Sequence, residues 1–371
     1  MSLGIYQSIT IHIDPNSITL DSEGHWRTFR MTGKLFRRLV DGRIADMVAN
    51  EPRILGPEES ESVRSIIRQF LEFLISKAEN CKIPPEACNI TKPEWQIALL
   101  RRSAEFMAKN SNLIAEQFEG AYLESVRMLP PDRYRDLVLL PATGCPRGGC
   151  SFCTLYAGTE FRVLTKSEFE EHIHKVFELF GHAAADRTGV FLGSASALSL
   201  SQCRLMEALS AINKKLGRFK RGVSTFFDPY HAPKRTVADY EQLKKMGLQQ
   251  AVIGLESGSG ILRKRWGKPG DLSKLTDTVS TLKHARVQVS LTILTGFHPD
   301  GNFLNHVDET TRFIKSLPLG STDILYISPL YPENIPSTIT DEQIRSLQLK
   351  LRAASPARVV TYRVNRFRYF A

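Results

Sequence analysis

Three of the six cysteines fall inside nine residues, Cys145-Pro146-Arg147-Gly148-Gly149-Cys150-Ser151-Phe152-Cys153. Few chemistries use three thiols this close together. A disulfide takes two, and a mononuclear zinc site ordinarily takes four ligands, its second pair a dozen or more residues from the first. Cys81 and Cys88 stand in different surroundings and Cys203 is alone, so no second pair is at hand. Soft thiolates select zinc or iron–sulfur clusters, and three of them suit a 4Fe-4S cube whose remaining iron is open to an exogenous ligand. Gly144, Gly148 and Gly149 give the backbone room to wrap such a group and to offer amides to its sulfides.

The loop resembles the signature of the radical S-adenosylmethionine superfamily, where an aromatic residue, here Phe152, precedes the last cysteine. The common first gap in that superfamily is three residues, whereas this chain has four. That spacing is similar to a branch near the oxygen-independent coproporphyrinogen oxidase-like, tRNA methylthiotransferase and elongator catalytic subunit enzymes. A second stretch, Ile253-Gly254-Leu255-Glu256-Ser257-Gly258-Ser259, is similar to a Gly-Leu-Glu-Ser-Gly segment of the same branch.

The resemblance implies a 4Fe-4S cluster on Cys145, Cys150 and Cys153, with S-adenosylmethionine as the second cofactor. It implies binding roles for Phe152, Gly193, Ser194, Ser224, Glu256, Ser257, Lys268 and Gly296: backbone at Gly193 and Ser194 for the ligand's amino group, the Ser224 region for ribose, Lys268 for the carboxylate, and Gly296 for close approach to adenine. Glu256 reads either as an acceptor for ribose hydroxyls or the ammonium group, or as a helix-start carboxylate. Arg263, Lys264 and Arg265 compete with Lys268 for its role. The activity implied is reductive cleavage to methionine and a 5'-deoxyadenosyl radical that takes hydrogen from a substrate, the electron coming from an external donor such as flavodoxin or ferredoxin.

These residues need elements to hold them. From Leu137 onward apolar runs alternate with helical periodicity: strands at Leu137–Thr143, Gly189–Gly193, Gly222–Phe227, Gln250–Glu256, Val287–Gly296 and Asp323–Leu330, helices near 166–180, 201–216, 235–246, 272–285 and 303–317. Such alternation predicts an α/β fold with a parallel sheet. The resemblance makes it a partial (β/α)6 TIM-like barrel, with a doubly wound open sheet as the alternative. Ligand groups then belong at the C-terminal strand ends. Ahead of it, alternation around Ile9, Ile11, Ile13 and Trp26–Met31 with turn signals between predicts a β-meander, followed by a helix presenting Val63, Ile66, Ile67, Phe70 and Phe73 or Leu74 and a second from about Pro93 to Gly120. The expected division is a small α+β appendage over 1–125, the core over 126–335, and a C-terminal helix with a closing strand over 336–371.

The net charge of +10 is uneven: residues 1–136 hold 18 basic against 19 acidic side chains, and the rest 31 against 20. The basic core suits an anionic small-molecule substrate, or a polynucleotide; the small molecule is favoured. A nucleic-acid modifying enzyme and a non-enzymatic iron–sulfur protein remain the alternatives. Arg27, Arg30, Arg37, Arg38 and Arg43 form a basic patch on the meander that reads mainly as solvated. His306 and Asp308 lack a third ligand nearby, so His306 reads as a helix-face residue rather than a metal ligand. No run reaches transmembrane length and no secretory signal pattern is evident, so the expected location is the cytoplasm, with no membrane partner and with thiols kept reduced.

Overall fold

The computed structural model describes residues 8–48, 51–80, 83–84, 87–88, 93–109, 111–193, 195–297, 302–330 and 337–371. The chain divides into two units, one made of Met1–Met128, His174–Arg187 and Arg368–Ala371, the other of Leu129–Ile173 and Thr188–Phe367. Of the C-terminal segment expected over 336–371, residues 337–367 fall within the second unit and Arg368–Ala371 within the first. No helix among the described residues is long and apolar enough to cross a membrane.

In the first unit β1 (Ile9–Ile13), β2 (Asn16–Leu20), β3 (Trp26–Met31), β4 (Lys34–Arg38), β5 (Ile44–Val48) and β6 (Glu51–Ile54) form an antiparallel meander in sequence order. Alternate side chains, among them Ile9, Ile11, Ile18, Leu20 and Phe29, share its core with Val63, Ile67, Phe70, Leu71 and Leu74 of α1 (Pro57–Glu79). Pro57 opens that helix, and Glu59 accepts from the Gly56 amide at 3.1 Å. Leu74, rather than Phe73, continues the buried stripe. The single helix expected from Pro93 to Gly120 is two, α2 (Pro93–Ala108) and α3 (Ser111–Ala121). In the sequence Lys109 and Asn110 fall between their ranges, and asparagine is a residue type that favours caps over helix interiors.

The second unit begins with β7 (Leu137–Leu139), β8 (Ala142–Thr143), β9 (Arg162–Val163) and α4 (Lys166–Phe180), which continues into the first unit. It goes on through β10 (Val190–Leu192), α5 (Gln202–Leu216), β11 (Val223–Phe227), α6 (Val237–Lys245), β12 (Leu248–Glu256), α7 (Gly260–Arg265), α8 (Ser273–His284), β13 (Gln288–Thr295), α9 (Asn302–Ser316), β14 (Ile324–Pro329), α10 (Ser337–Ala354) and β15 (Arg358–Thr361). Seven strands make one sheet in the order β15-β14-β13-β12-β11-β10-β7, every adjacent pair parallel. Every residue of β11 and β14 is buried, as a sheet covered on both faces demands. The fold class is α/β, and β7 and β15 are the ends of the hydrogen-bonded ladder.

Two expected strands are shorter. Leu137–Thr143 is interrupted at Pro141, which has no amide to continue the ladder, so β8 leaves the main sheet and pairs antiparallel with β9. The closing strand expected near the C-terminus keeps only four residues, Arg358–Thr361, in the sheet before a 3-10 turn at Val364–Arg366.

Candidate functional site

The cysteine loop hangs between β8 and β9, whose pairing of Ala142 with Val163 and Thr143 with Arg162 clamps both of its ends. Gly144, Gly148 and Gly149 all have positive φ, at 69°, 59° and 67°. At Gly144 nothing larger fits, since a Cβ there would run into the Glu160 carbonyl. Inside the loop the Cys153 amide donates to the Cys150 carbonyl at 3.0 Å. Cys145, Cys150 and Cys153 are half-buried thiols outside any disulfide, and neither Cys88 nor Cys203, the other described cysteines, forms one. Cys81 lies outside the described residues.

The loop is fastened across the C-terminal ends of β11 and β12. Arg147 donates from Nε to Asp228 Oδ2 at 2.6 Å, just past β11, and from Nη1 to the Gly267 carbonyl at 3.3 Å. The Ser151 amide donates to the Trp266 carbonyl at 3.3 Å, and Phe152 meets the Trp266 ring edge-on with centroids 6.1 Å apart. Gly267, at φ 76°, passes close to the Gly149 carbonyl. These contacts bring the thiols within electrostatic reach of Glu256 and Lys268. Burial pushes the Cys150 thiol up, as do Glu256 and Cys153, while Lys268 and Arg147 oppose. Burial likewise raises Cys153, joined by Cys145 and Glu256.

Glu256 ends β12 at φ 63°, beside a register shift between Gly254 and Glu256. A left-handed backbone at a residue other than glycine is strained, and such strain concentrates at functional sites. Its carboxylate accepts from Lys268 Nζ at 2.7 Å and from Thr292 Oγ1 at 3.1 Å, both ion-pair partners being about nine-tenths buried. Lys268 Nζ also reaches the Gly254 carbonyl at 3.1 Å, and a Cβ on Gly254 would collide with both charged groups. The two side chains singled out separately in the sequence thus neutralise each other.

Other residues singled out in the sequence have different surroundings. Gly193 closes β10 where a Cβ would strike the Leu140 side chain, and Ser194 lies outside the described residues. Ser224, the second residue of β11, is fully buried and donates to Gln250 Oε1 at 3.1 Å, away from the loop at the opposite strand end. Ser257 shares a hydrogen bond of 2.8 Å with His306 Nδ1 and accepts from the Ser259 amide. Gly296 is needed because the Leu330 carbonyl occupies the space of its Cβ, and its amide donates to Gln343 Oε1 at 2.7 Å. His306 is a fully buried residue of α9, ringed by Trp266, Phe297 and Phe303, and burial lowers its pKa to about 4 despite the Leu294 carbonyl. The loop from His298 to Gly301 lies outside the described residues.

Two further residues complete the surroundings: Asp228, which the sequence did not single out, and Arg263, which it weighed against Lys268. Asp228 accepts from Arg147, and its amide is held by Ser196 Oγ at 2.9 Å. Burial works to raise the Asp228 carboxyl, but Arg147 and Lys268 hold it below the usual range. Arg263 is fully buried, donates from Nε to the Pro269 carbonyl and from Nη1 to the Leu255 carbonyl, and has no hydrogen-bond partner for Nη2. Pairing across 81 residues, as between Arg147 and Asp228, leaves no local sequence signal.

Among the described residues no three His, Cys, Asp or Glu side chains converge as ligands of one metal ion. A cubane does not ask for that convergence, because each thiolate binds a different iron. Three unpaired, half-buried thiols on a loop that only glycine turns can form fit such a donor set.

No protein-family description matches the sequence, and no curated protein matches it. Solved structures do. A maturase of the FeFe-hydrogenase aligns over 79% of this chain and 62% of its own, at 17% identity and TM-score 0.42. A cobalamin-dependent S-adenosylmethionine radical enzyme aligns over 59% of this chain and 32% of its own, at 13% identity and TM-score 0.40. Coproporphyrinogen III oxidase from Escherichia coli, a radical S-adenosylmethionine enzyme, aligns over 60% and 52%, at 14% identity and TM-score 0.36. The alignment thus spans between 32% and 62% of the length of these chains. At such scores the likeness assigns this chain neither family nor activity.

Proposed function

We propose that this chain is a radical S-adenosylmethionine enzyme acting on a small molecule, in the cytoplasm. The observation that carries the reading is one cluster of groups: three unpaired thiols within electrostatic reach of a buried glutamate–lysine pair at the C-terminal end of a parallel sheet. Ligands of α/β sheets bind at that end.

In this reading Cys145, Cys150 and Cys153 hold a 4Fe-4S cluster as thiolates, and Lys268 and Arg147 favour the charged form of Cys150. When bound, the cluster and S-adenosylmethionine supply one-electron cleavage of a carbon–sulfur bond and a 5'-deoxyadenosyl radical that abstracts hydrogen from the substrate. Phe152, packed on Trp266, anchors the loop and keeps water from its inner side. Glu256 and Lys268 offer one negative and one positive charge 2.7 Å apart, a pair that the ammonium and carboxylate of an amino-acid ligand replace charge for charge. Arg263 Nη2 is a further donor without a partner. The electron comes from an external protein such as flavodoxin or ferredoxin, and the basic balance beyond residue 136 suits an anionic substrate.

The test is anaerobic incubation of the iron-loaded, reduced protein with S-adenosylmethionine, with mass detection of 5'-deoxyadenosine. Slow release without substrate is expected, and Cys150→Ala should abolish it. A reduced, cluster-loaded protein that releases none removes the reading. Salt-sensitive submicromolar binding of tRNA would move the substrate class to nucleic acid.

A further inference from the structure

The basic patch of the meander does not behave as one surface. Arg43 stays exposed and pairs with Asp41 at 2.6 Å, and Arg37 stacks on Phe370. Arg27 and Arg38 instead line a cavity of about 110 Å³, together with Asp21, Lys109, Glu178 and Arg187, all within the first unit.

Arg187 decides what this cavity suits. Its residue is 6% exposed, and its ring-like guanidinium plane lies over Phe180 at 4.7 Å and Tyr369 at 5.4 Å. Nη1 donates to the Phe370 carbonyl at 3.0 Å, while Nε and Nη2 are buried without a hydrogen-bond partner. Those two atoms are the side-on edge of the guanidinium, two parallel N–H groups spaced to take two oxygens of one oxyanion. No carboxylate among the described residues forms an ion pair with Arg187. The acids near it are engaged: Asp186 pairs with Arg27 at 3.3 Å, and Asp21 accepts the Glu23 and His25 amides with Arg38 at 3.9 Å. A buried charge with an empty fork is costly unless something fills it.

We propose that the first unit carries a binding site for a phosphate group, seated on the Nε and Nη2 edge of Arg187 with Arg38 and Lys109 adding charge. At about 110 Å³ the cavity has room for several waters or one phosphate. More than one cation faces the space, which suits a dianionic tetrahedral group better than a carboxylate. Glu178, largely exposed and paired with His174, stands at the rim.

The site does not depend on the cluster, so the full chain is tested both with and without iron. Calorimetry in phosphate-free buffer should show one inorganic phosphate bound per chain, equally in both forms. Arg187→Lys keeps the charge but loses the fork, and should weaken binding at least tenfold. Lys109→Gln, at an exposed position, should weaken it a few-fold without touching the fold, and Arg43→Gln should change nothing. Methyl phosphate is the second probe: tighter binding than inorganic phosphate marks the site as one for a phosphate ester, weaker binding as one for the free ion. If neither probe binds the wild-type chain at 10 mM by order of magnitude, or if both Arg187→Lys and Lys109→Gln bind like wild type, the proposal is overturned.

Discussion

The two ends of the parallel sheet treat polar groups in opposite ways. At the N-terminal end of the strands, Arg133 Nε donates to Gln250 Oε1 at 2.6 Å, Ser224 Oγ donates to the same oxygen, and Gln250 Nε2 reaches Ser290 Oγ at 2.8 Å and the Tyr326 hydroxyl at 3.3 Å. Tyr326 in turn donates to Asp132, and Asp136 accepts from Arg133 and Thr188. These groups are spent on one another, as a buried network must be to stabilise. At the C-terminal end three thiols stand outside any disulfide, Arg263 has a bare nitrogen, and Glu256 sits on a left-handed backbone. Saturated polar groups hold a fold, and unsaturated ones are available to a ligand.

That contrast breaks most visibly at Arg133. Arg133→Met leaves Asp136 and Gln250 buried with fewer donors, and urea unfolding should show a loss of about 3–5 kcal/mol. Iron content per folded chain should not change. A variant as stable as wild type would mean that the lower network is not what holds that end.

At the other end, His306 gives the sheet a pH signature. Burial lowers its pKa from 6.5 to about 4, so the unfolded chain binds a proton there that the folded chain refuses. Its contribution is complete above pH 6.5 and is lost as pH falls toward 4, by up to about 3 kcal/mol. Unfolding free energies of wild type and His306→Phe, compared across that window, should diverge in slope. Parallel curves would show that the ring titrates normally.

Glu256→Gln sharpens the comparison from the ligand side. It removes the charge but keeps the shape, and equilibrium dialysis should show S-adenosylmethionine affinity falling ten- to a hundredfold, about 1.5–3 kcal/mol. The cluster should remain. Gly254→Ala, which drives a methyl group into the Glu256–Lys268 pair, should act in the same direction.

Gly148→Ala is the smallest change. Open space surrounds that position, so only the left-handed backbone at φ 59° is penalised, by about 1 kcal/mol. Gly144→Ala should cost visibly more in a thermal melt, because the Glu160 backbone blocks it.

Much of this was legible in order along the chain. The strand and helix periods fell where the elements lie, because parallel strands buried on both faces read as apolar runs. Depth along a strand was the weaker reading. Ser224 stands at the start of β11 and Glu256 at the end of β12, and only the latter reaches the site. The third-strand contribution is Asp228, hidden in an Asp-Pro turn until Arg147 is seen beside it. Gly296 advertised backbone freedom without saying for what, and the answer is the Leu330 carbonyl.

The central claim is that Cys145, Cys150 and Cys153 hold a cluster with an open iron, and iron and sulfide analysis joined to electron paramagnetic resonance of the reduced protein tests it most directly. About four iron and four sulfide per chain are expected, unchanged when Cys81, Cys88 and Cys203 are replaced together and lost in Cys150→Ala. The signal of the reduced cluster should change when S-adenosylmethionine is added. Iron that survives replacement of Cys145, Cys150 and Cys153, or a signal indifferent to S-adenosylmethionine, would contradict the account.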